Sequence, residues 1–242
     1  MNISTEPIGS IPRPLPLIEA VSRLGDSDDP SLDRLYEEAI RDTIERFEAS
    51  GSPVVTDGEQ RKYHNFWTYC VHGLANTAAD GFKIPFAAGH TRRMPRLTEG
   101  PFRYKRYADK YLDVARRYAR VPVKQAIISP SALSLMYPAD GIAGYARDQF
   151  VDDLLRENET EIRRCLQKGA HKVQIDFKGR LAMKIDPSGH LLTSFIDLNN
   201  LSLSRFSAED RSRAPRTARA PCAPASSFMF RSPSNHPNSL QR

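Results

Sequence analysis

Apolar residues recur along this chain with two alternating periods. Between residues 32 and 47 they fall at Leu32, Leu35, Tyr36, Ala39, Ile40, Ile44 and Phe47, with Thr43 on the same stripe. Spacings of three and four residues put all of these on one face of a helix. Asp29 before Pro30 supplies an N-cap and a proline at N1, and Gly51 supplies a left-handed residue after the last turn. The same period predicts helices over about 106–119, 144–168 and 190–206, the second closed by Gly169. Between them lie short apolar runs that predict strands at 3–9, 53–58, 122–128 and 172–176. Strand and helix in this alternation predict parallel βαβ units and an α/β fold class. Residues 80–105 interrupt the pattern with Gly, Pro, clustered Arg and brief apolar runs, and read as an inserted hairpin or excursion.

The periodicity stops near Arg213. From Ala214 to Arg242 the chain is rich in Pro, Ser, Ala and Arg, carries no acid and has no apolar period. Such a segment buries too little apolar surface to offset its ordering entropy and is expected to be a disordered tail, 213–242, after a structured unit, 1–212. The tail also carries the charge. Residues 211–242 hold six Arg, so the first 210 residues balance 29 basic against 29 acidic, and the net +6 lies in residues 211–242, the tail and the two residues before it. The basic pI is therefore no argument for nucleic acid as a partner of the body. There is no run of about 18 apolar residues, so no membrane span is expected. The N-terminus lacks the pattern of a secretory signal. Cys70, Cys165 and Cys222 are scattered without CxxC spacing, which fits a reducing cytoplasm.

Parallel sheets place functional groups at the carboxyl ends of their strands. Ile8-Gly9-Ser10, Asp57-Gly58-Glu59, Ser129-Pro130-Ser131 and Asp176 all fall at such ends. Turn residues collect there in any α/β protein, so spacing alone leaves both a shared site and ordinary turns open. The motifs themselves add more. Glu6-Pro7-Ile8-Gly9-Ser10-Ile11-Pro12-Arg13, Thr56-Asp57-Gly58-Glu59-Gln60 and Val173-Gln174-Ile175-Asp176-Phe177, in this order, resemble cobalamin-independent methionine synthase, and more closely its short single-barrel relatives. The resemblance runs from about residue 3 to residue 212.

That resemblance implies a (β/α)8 TIM barrel of which about four N-terminal βα units are present. It implies a zinc ion, and methyl transfer from a methyl-tetrahydrofolate to the thiolate of homocysteine, a small-molecule amino thiol. It places the substrate carboxylate on the Ile8-Gly9-Ser10 turn, and the substrate ammonium on Glu59 and Asp176. The chemistry is coherent: a tight Gly-Ser turn offers N–H donors to an anion, and two carboxylates pair with a cation. Each residue also has a plainer reading. Gly9 is a turn glycine, Ser10 a loop hydroxyl, and Glu59 a surface partner of Arg61 or Lys62. Asp176 ends an apolar strand, where an acid is costly without a partner. His64, Trp67 and Tyr69 either line the mouth of the site or belong to the core.

The sequence departs from the family at the metal. Zinc makes a thiolate available at neutral pH by coordinating it. The family's ligands include a His-x-Cys pair on the strand after the helix that contains Ser-Arg-Phe-Ser, with a further acid and Cys downstream. Here Ser204-Arg205-Phe206-Ser207 leads into the tail, and no His-x-Cys occurs in the 242 residues. Cys70 and His72 are close, but two ligands do not make a zinc site. The change of character after Arg213 reads as a frame shift or an alternative exon end. On this reading the chain lacks the zinc half and is inactive alone, and its open strand edges favour self-association. Two alternatives remain: a non-catalytic half-barrel that binds a partner, and a uroporphyrinogen-decarboxylase-like enzyme of the same broad superfamily.

Overall fold

A computed structural model of the chain describes residues 5–24, 29–61, 68–78, 81, 83–85, 91–177 and 179–214. In chain order the elements are α1 (Leu15–Leu24), a 3-10 turn (Pro30–Leu32), α2 (Asp33–Ala49), α3 (Thr68–Val71), β1 (Thr77–Ala78), β2 (Lys83–Pro85), β3 (Thr91–Arg93), β4 (Arg96–Leu97), α4 (Asp109–Tyr118), β5 (Lys124–Ile128), α5 (Pro130–Leu133), a second 3-10 turn (Ser134–Met136), α6 (Arg147–Gln167), β6 (Lys172–Asp176), α7 (Gly179–Ile185), α8 (His190–Ser204) and α9 (Ala208–Ser212).

The apolar stripe of α2 is buried through Tyr36, Ala39, Ile40, Thr43 and Ile44. Burial of a side chain such as Ile40 or Ile44 contributes about 1.5–3 kcal/mol. Asp29 caps the turn before α2, its carboxylate accepting from Ser31 N at 2.8 Å. Gly51 and Gly169 take the left-handed conformation where α2 and α6 end. α1 begins directly after Pro14, whose carbonyl accepts from Leu17 N and Ile18 N. Pro16 is tolerated there because the first turn of a helix leaves its N–H groups unused. Leu17 and Ala20 of α1 pack against Leu32, Tyr36 and Ala39 as a small second core.

The sheet that organises the main core is parallel. β5 and β6 pair from Lys124↔Lys172 to Ile128↔Asp176, with α6 as the crossover. Val55 extends this sheet on the other side of β5 through a parallel bridge to Val123. The pleat sorts the side chains. Gln125, Ile127, Val173 and Ile175 share one face, and the last three join Leu154, Ile162 and Cys165 of α6 in the core. Lys124, Ala126 and Ile128 share the opposite face with Lys172, Gln174 and Asp176. Beyond β6, Val173 N donates to Arg213 O at 2.8 Å, and Ala214 is buried. Residues 215–242, where the tail is expected, lie outside the described residues.

The expectation of four strands needs correction. Residues 5–8 form no strand, and 53–58 contributes only the bridge at Val55. The N-terminal segment finds its partners in side chains rather than in a backbone ladder. The excursion is antiparallel: β1 pairs with β4 and β2 with β3. Its stem closes through Thr98 N to Asn76 O at 2.9 Å, and Asn76 Nδ2 donates to Glu99 O and Pro101 O.

Irregular backbone over 102–108 is held by acids of α6. Glu157 Oε2 accepts from Tyr104 N at 3.1 Å and from the Tyr107 hydroxyl at 2.6 Å, and Glu161 Oε1 accepts from Ala108 N at 3.0 Å. Asp153 accepts from the Tyr145 hydroxyl at 2.7 Å and pairs with Arg103 at 2.7 Å. These carboxylates supply acceptors that a helix or sheet would otherwise give to the buried N–H groups. No described helix is long and apolar enough to cross a membrane.

Candidate functional site

The polar face of β5 and β6 is crossed by the N-terminal segment, and consecutive residues of that segment are each held from below. Glu6 pairs with Lys172, and with Lys124 at 3.5 Å. Pro7 O accepts from Lys124 Nζ at 2.6 Å, and Ile8 O accepts from Gln174 Nε2 at 2.7 Å. Gly9 O accepts from Thr56 Oγ1 at 3.3 Å, and Ile11 N donates to Gly58 O at 3.0 Å. Proline at 7 suits this arrangement, because only its carbonyl is needed. Burial lowers the Lys124 ammonium from its usual range, against the pull of Glu6. Burial would raise the Glu6 carboxyl, but Lys172 and Lys124 outweigh it and hold it below the usual value.

The turn after Val55 is tight and strained. Gly58 and Glu59 both take positive φ, +67° and +55°. Glu59 is the only described residue other than glycine in that region, a conformation that costs free energy and persists only when its surroundings enforce it. Here they do: Asp57 Oδ1 accepts from Glu59 N at 2.9 Å, and Thr56 Oγ1 accepts from Gly58 N at 3.1 Å. The strained residue delivers its carboxylate to the N-terminal turn. Glu59 Oε2 accepts from Ser10 Oγ at 2.8 Å. A Cβ on Gly9 would meet Glu59 Oε1 at 2.6 Å, so a side chain at position 9 would push the Glu59 carboxylate out of its place, and it would also strain the backbone at φ +154°. Arg61, the rival partner for Glu59, instead pairs with Asp33 at 2.8 Å and lies over the Tyr36 ring.

Asp176 joins the same cluster from β6. Its Oδ1 accepts from Gln174 Nε2 at 3.0 Å, the amide that also holds Ile8 O. Ile8, Gly9, Ser10, Glu59 and Asp176 therefore form one hydrogen-bonded group, although they come from three separate stretches of chain. Arg13 lies beside it, its Nε donating to Gln60 O at 2.8 Å. The arrangement sets two carboxylates around a glycine turn whose N–H groups at Gly9 and Ser10 have no partner among the described residues. Chemically it offers paired recognition of a cation and an anion a short distance apart.

Other candidates take structural places. Ser129 Oγ caps α5 by accepting from Ala132 N at 3.2 Å, and Ser131 N donates to Asn199 Oδ1. Tyr69 is a core residue, 1% exposed, whose hydroxyl accepts from Ile128 N; it does not line the site. His64 and Trp67 lie outside the described residues. The motifs give no role to Thr56, Lys124 or Gln174 as individual residues. A signal for them exists all the same: Lys124 and Gln174 are polar residues inside apolar runs and Thr56 closes one, as Asp176 does.

A zinc ion is implied by the family resemblance, and the described residues do not fit one. Among the described residues no three His, Cys, Asp or Glu side chains come together as a metal-holding group. Cys70 and Cys165 form no disulfide and are sealed in the core. A cleft of about 640 Å3 between Gly100, Tyr145 and the start of α6 is lined by Arg103, Asp153 and Arg156 and contains none of the site residues.

No protein-family model matches the chain, and no curated protein matches it significantly. Solved structures do. A Listeria monocytogenes structural-genomics target assigned as a vitamin-B12-independent methionine synthase is 18% identical with a TM-score of 0.59, covering 89% of this chain and 65% of that one. A B12-independent methionine synthase from Shewanella sp. W3-18-1, solved in complex with selenomethionine, is 17% identical with a TM-score of 0.57, covering 83% of this chain and 57% of that one. At such identity the likeness is one of fold. This chain spans less than two thirds of the length of either structure.

Proposed function

We propose that this chain carries the amino-acid-binding part of a methionine-synthase-like (β/α)8 barrel and takes a homocysteine-type α-amino acid. The observation that carries the reading is the convergence of the Ile8-Gly9-Ser10 turn, Glu59 and Asp176 into one hydrogen-bonded cluster beside parallel strands. The backbone N–H groups of the turn would receive the substrate carboxylate. Glu59 and Asp176 would receive its ammonium, displacing the hydrogen bonds that now occupy them. In the likeness that prompts this reading, methyl-tetrahydrofolate supplies the methyl group. Among the described residues no three His, Cys, Asp or Glu side chains come together to hold a metal, and the role proposed for the cluster is binding. The lack of any His-x-Cys pair supports a second part of the proposal: the chain binds its amino acid without transferring methyl groups by itself.

Calorimetric titration tests the first part. L-homocysteine and L-methionine should bind, while 3-methylthiopropylamine, which lacks the carboxylate, and 3-methylthiopropionate, which lacks the ammonium, should bind at least tenfold more weakly. Equal affinity for all four ligands would overturn the paired site. For the second part, zinc, methyl-tetrahydrofolate and homocysteine together should yield no methionine above background. Zinc-dependent turnover would refute it.

A further inference from the structure

Gln174 stands in the middle of β6 and is 2% exposed. A glutamine amide buried in a strand is costly unless its donors are used. Its Nε2 carries two hydrogens, and two acceptors lie within reach: Ile8 O at 2.7 Å and Asp176 Oδ1 at 3.0 Å. Thr56 acts on the next peptide, its Oγ1 donating to Gly9 O at 3.3 Å. In a trans peptide the C=O and N–H point in opposite directions. With Ile8 O turned toward Gln174 and Gly9 O toward Thr56, each following N–H is turned away from the side chain that holds its carbonyl. The direction of the Gly9 N–H is therefore set from β6, by an amide that holds the Asp176 carboxylate at the same time.

We infer that Gln174 is a positioning residue for the amino-acid site, one amide that aligns both the anion-binding turn and the ammonium-binding carboxylate. The inference rests on the amino-acid reading for its ligand, but its structural content, a coupled Gly9 amide and Asp176 carboxylate, does not. Replacement by Leu keeps the volume and removes both donors. Replacement by Glu keeps the shape and sets a third acceptor against Ile8 O and Asp176, except where that Glu is protonated and regains one donor.

Two readouts test this on the full chain. In calorimetry, Gln174→Leu should weaken L-methionine binding about tenfold or more, the usual effect of losing hydrogen bonds to a charged group. Gln174→Glu should bind as weakly at about pH 8 and recover at least several-fold toward about pH 5, where protonation of the new carboxyl begins to restore a donor. Glu6, Glu59, Lys124, Lys172 and Asp176 surround position 174 in the wild-type chain as well, so the recovery is read relative to wild type over the same pH range, and loss of packing alone gives no such relative return. In 1H–15N spectra without ligand, the Gly9 amide should move in both variants and return toward its wild-type position on acidification of Gln174→Glu only. If Gln174→Leu does not fold, Gln174→Glu decides through the same two measurements. Unchanged methionine affinity of Gln174→Glu at pH 8, or a Gly9 amide indifferent to both substitutions, overturns the inference. Should the wild-type chain bind no methionine, the amino-acid reading falls and the Gly9 amide alone judges Gln174.

Discussion

Ser10 and Glu59 are 49 residues apart in sequence and joined by one hydrogen bond of 2.8 Å, Ser10 Oγ donating to Glu59 Oε2. That bond ties the N-terminal segment to a turn whose central residue is held at positive φ. A double-mutant cycle with Ser10→Ala and Glu59→Gln should therefore show coupling in methionine affinity, of about 0.5–1.5 kcal/mol. Strictly additive losses would mean the two residues act apart.

Gly9→Ala should disrupt the cluster with a single methyl group. Its Cβ would meet Glu59 Oε1 at 2.6 Å, and the backbone φ of +154° is one that a side chain disfavours. The expected cost in stability is about 1–3 kcal/mol by denaturant titration, with loss of ligand binding. Gly51 is the control: it also has positive φ, but a Cβ there meets nothing within 4 Å. If Gly51→Ala costs more than Gly9→Ala, crowding by Glu59 is not the reason for glycine at position 9.

The pattern of apolar residues makes α2 and α6 visible, and β6 coincides with the expected strand at 172–176. Local signals suffice there, because a stripe, a cap and a terminal glycine all lie within one element. The N-terminal segment resembles a strand and is not one, for the opposite reason. Its partners are Lys124, Gln174 and Thr56, between 47 and 166 residues away, and no local period records them. α1 is hidden by Pro14 and Pro16, which look like breakers and instead open a helix. α5 is hidden in the same way, as Ser129 and Pro130 look like the end of a strand and are an N-cap and first turn. The acids of α6 have the look of solvated charges, yet Glu157 and Glu161 are buried acceptors for a distant loop.

Acid should loosen that loop. Burial pushes the Asp153 carboxyl up, but the Tyr145 hydroxyl and the Arg103 guanidinium outweigh it and hold it below its ordinary 3.8. Since the folded value is the lower one, its contribution is complete above the ordinary value and is lost as pH falls through the folded one. Urea unfolding from about pH 6 to about pH 2 should show stability falling most steeply at the acid end, less steeply in Asp153→Asn. An identical slope in that variant would remove Asp153 from the explanation.

Thiol chemistry checks the core. Cys70 and Cys165 are 0% exposed, and burial together with Glu161 and Asp109 pushes the Cys165 thiol well up. Both should resist an aromatic disulfide reagent in the folded protein and react only on unfolding. In a Cys222→Ser variant no thiol should titrate under native conditions, and rapid reaction of either would mean that the core around α6 and α3 opens readily.

The stem of the excursion has a consequence for how this chain can be altered. Asn76 and Thr98 are fastened to each other, the Asn76 side chain pins Glu99 and Pro101, and Met94 and Leu97 of the returning arm are buried in the main core, so the excursion is anchored on both sides of β2 and β3. The connection between β2 and β3, from Pro85 to Thr91, can change length at small entropic expense. The turn of the hairpin is accordingly a natural splice point: a reporter or an affinity tag grafted between residues 85 and 91 should leave the N-terminal segment over β5 and β6 undisturbed.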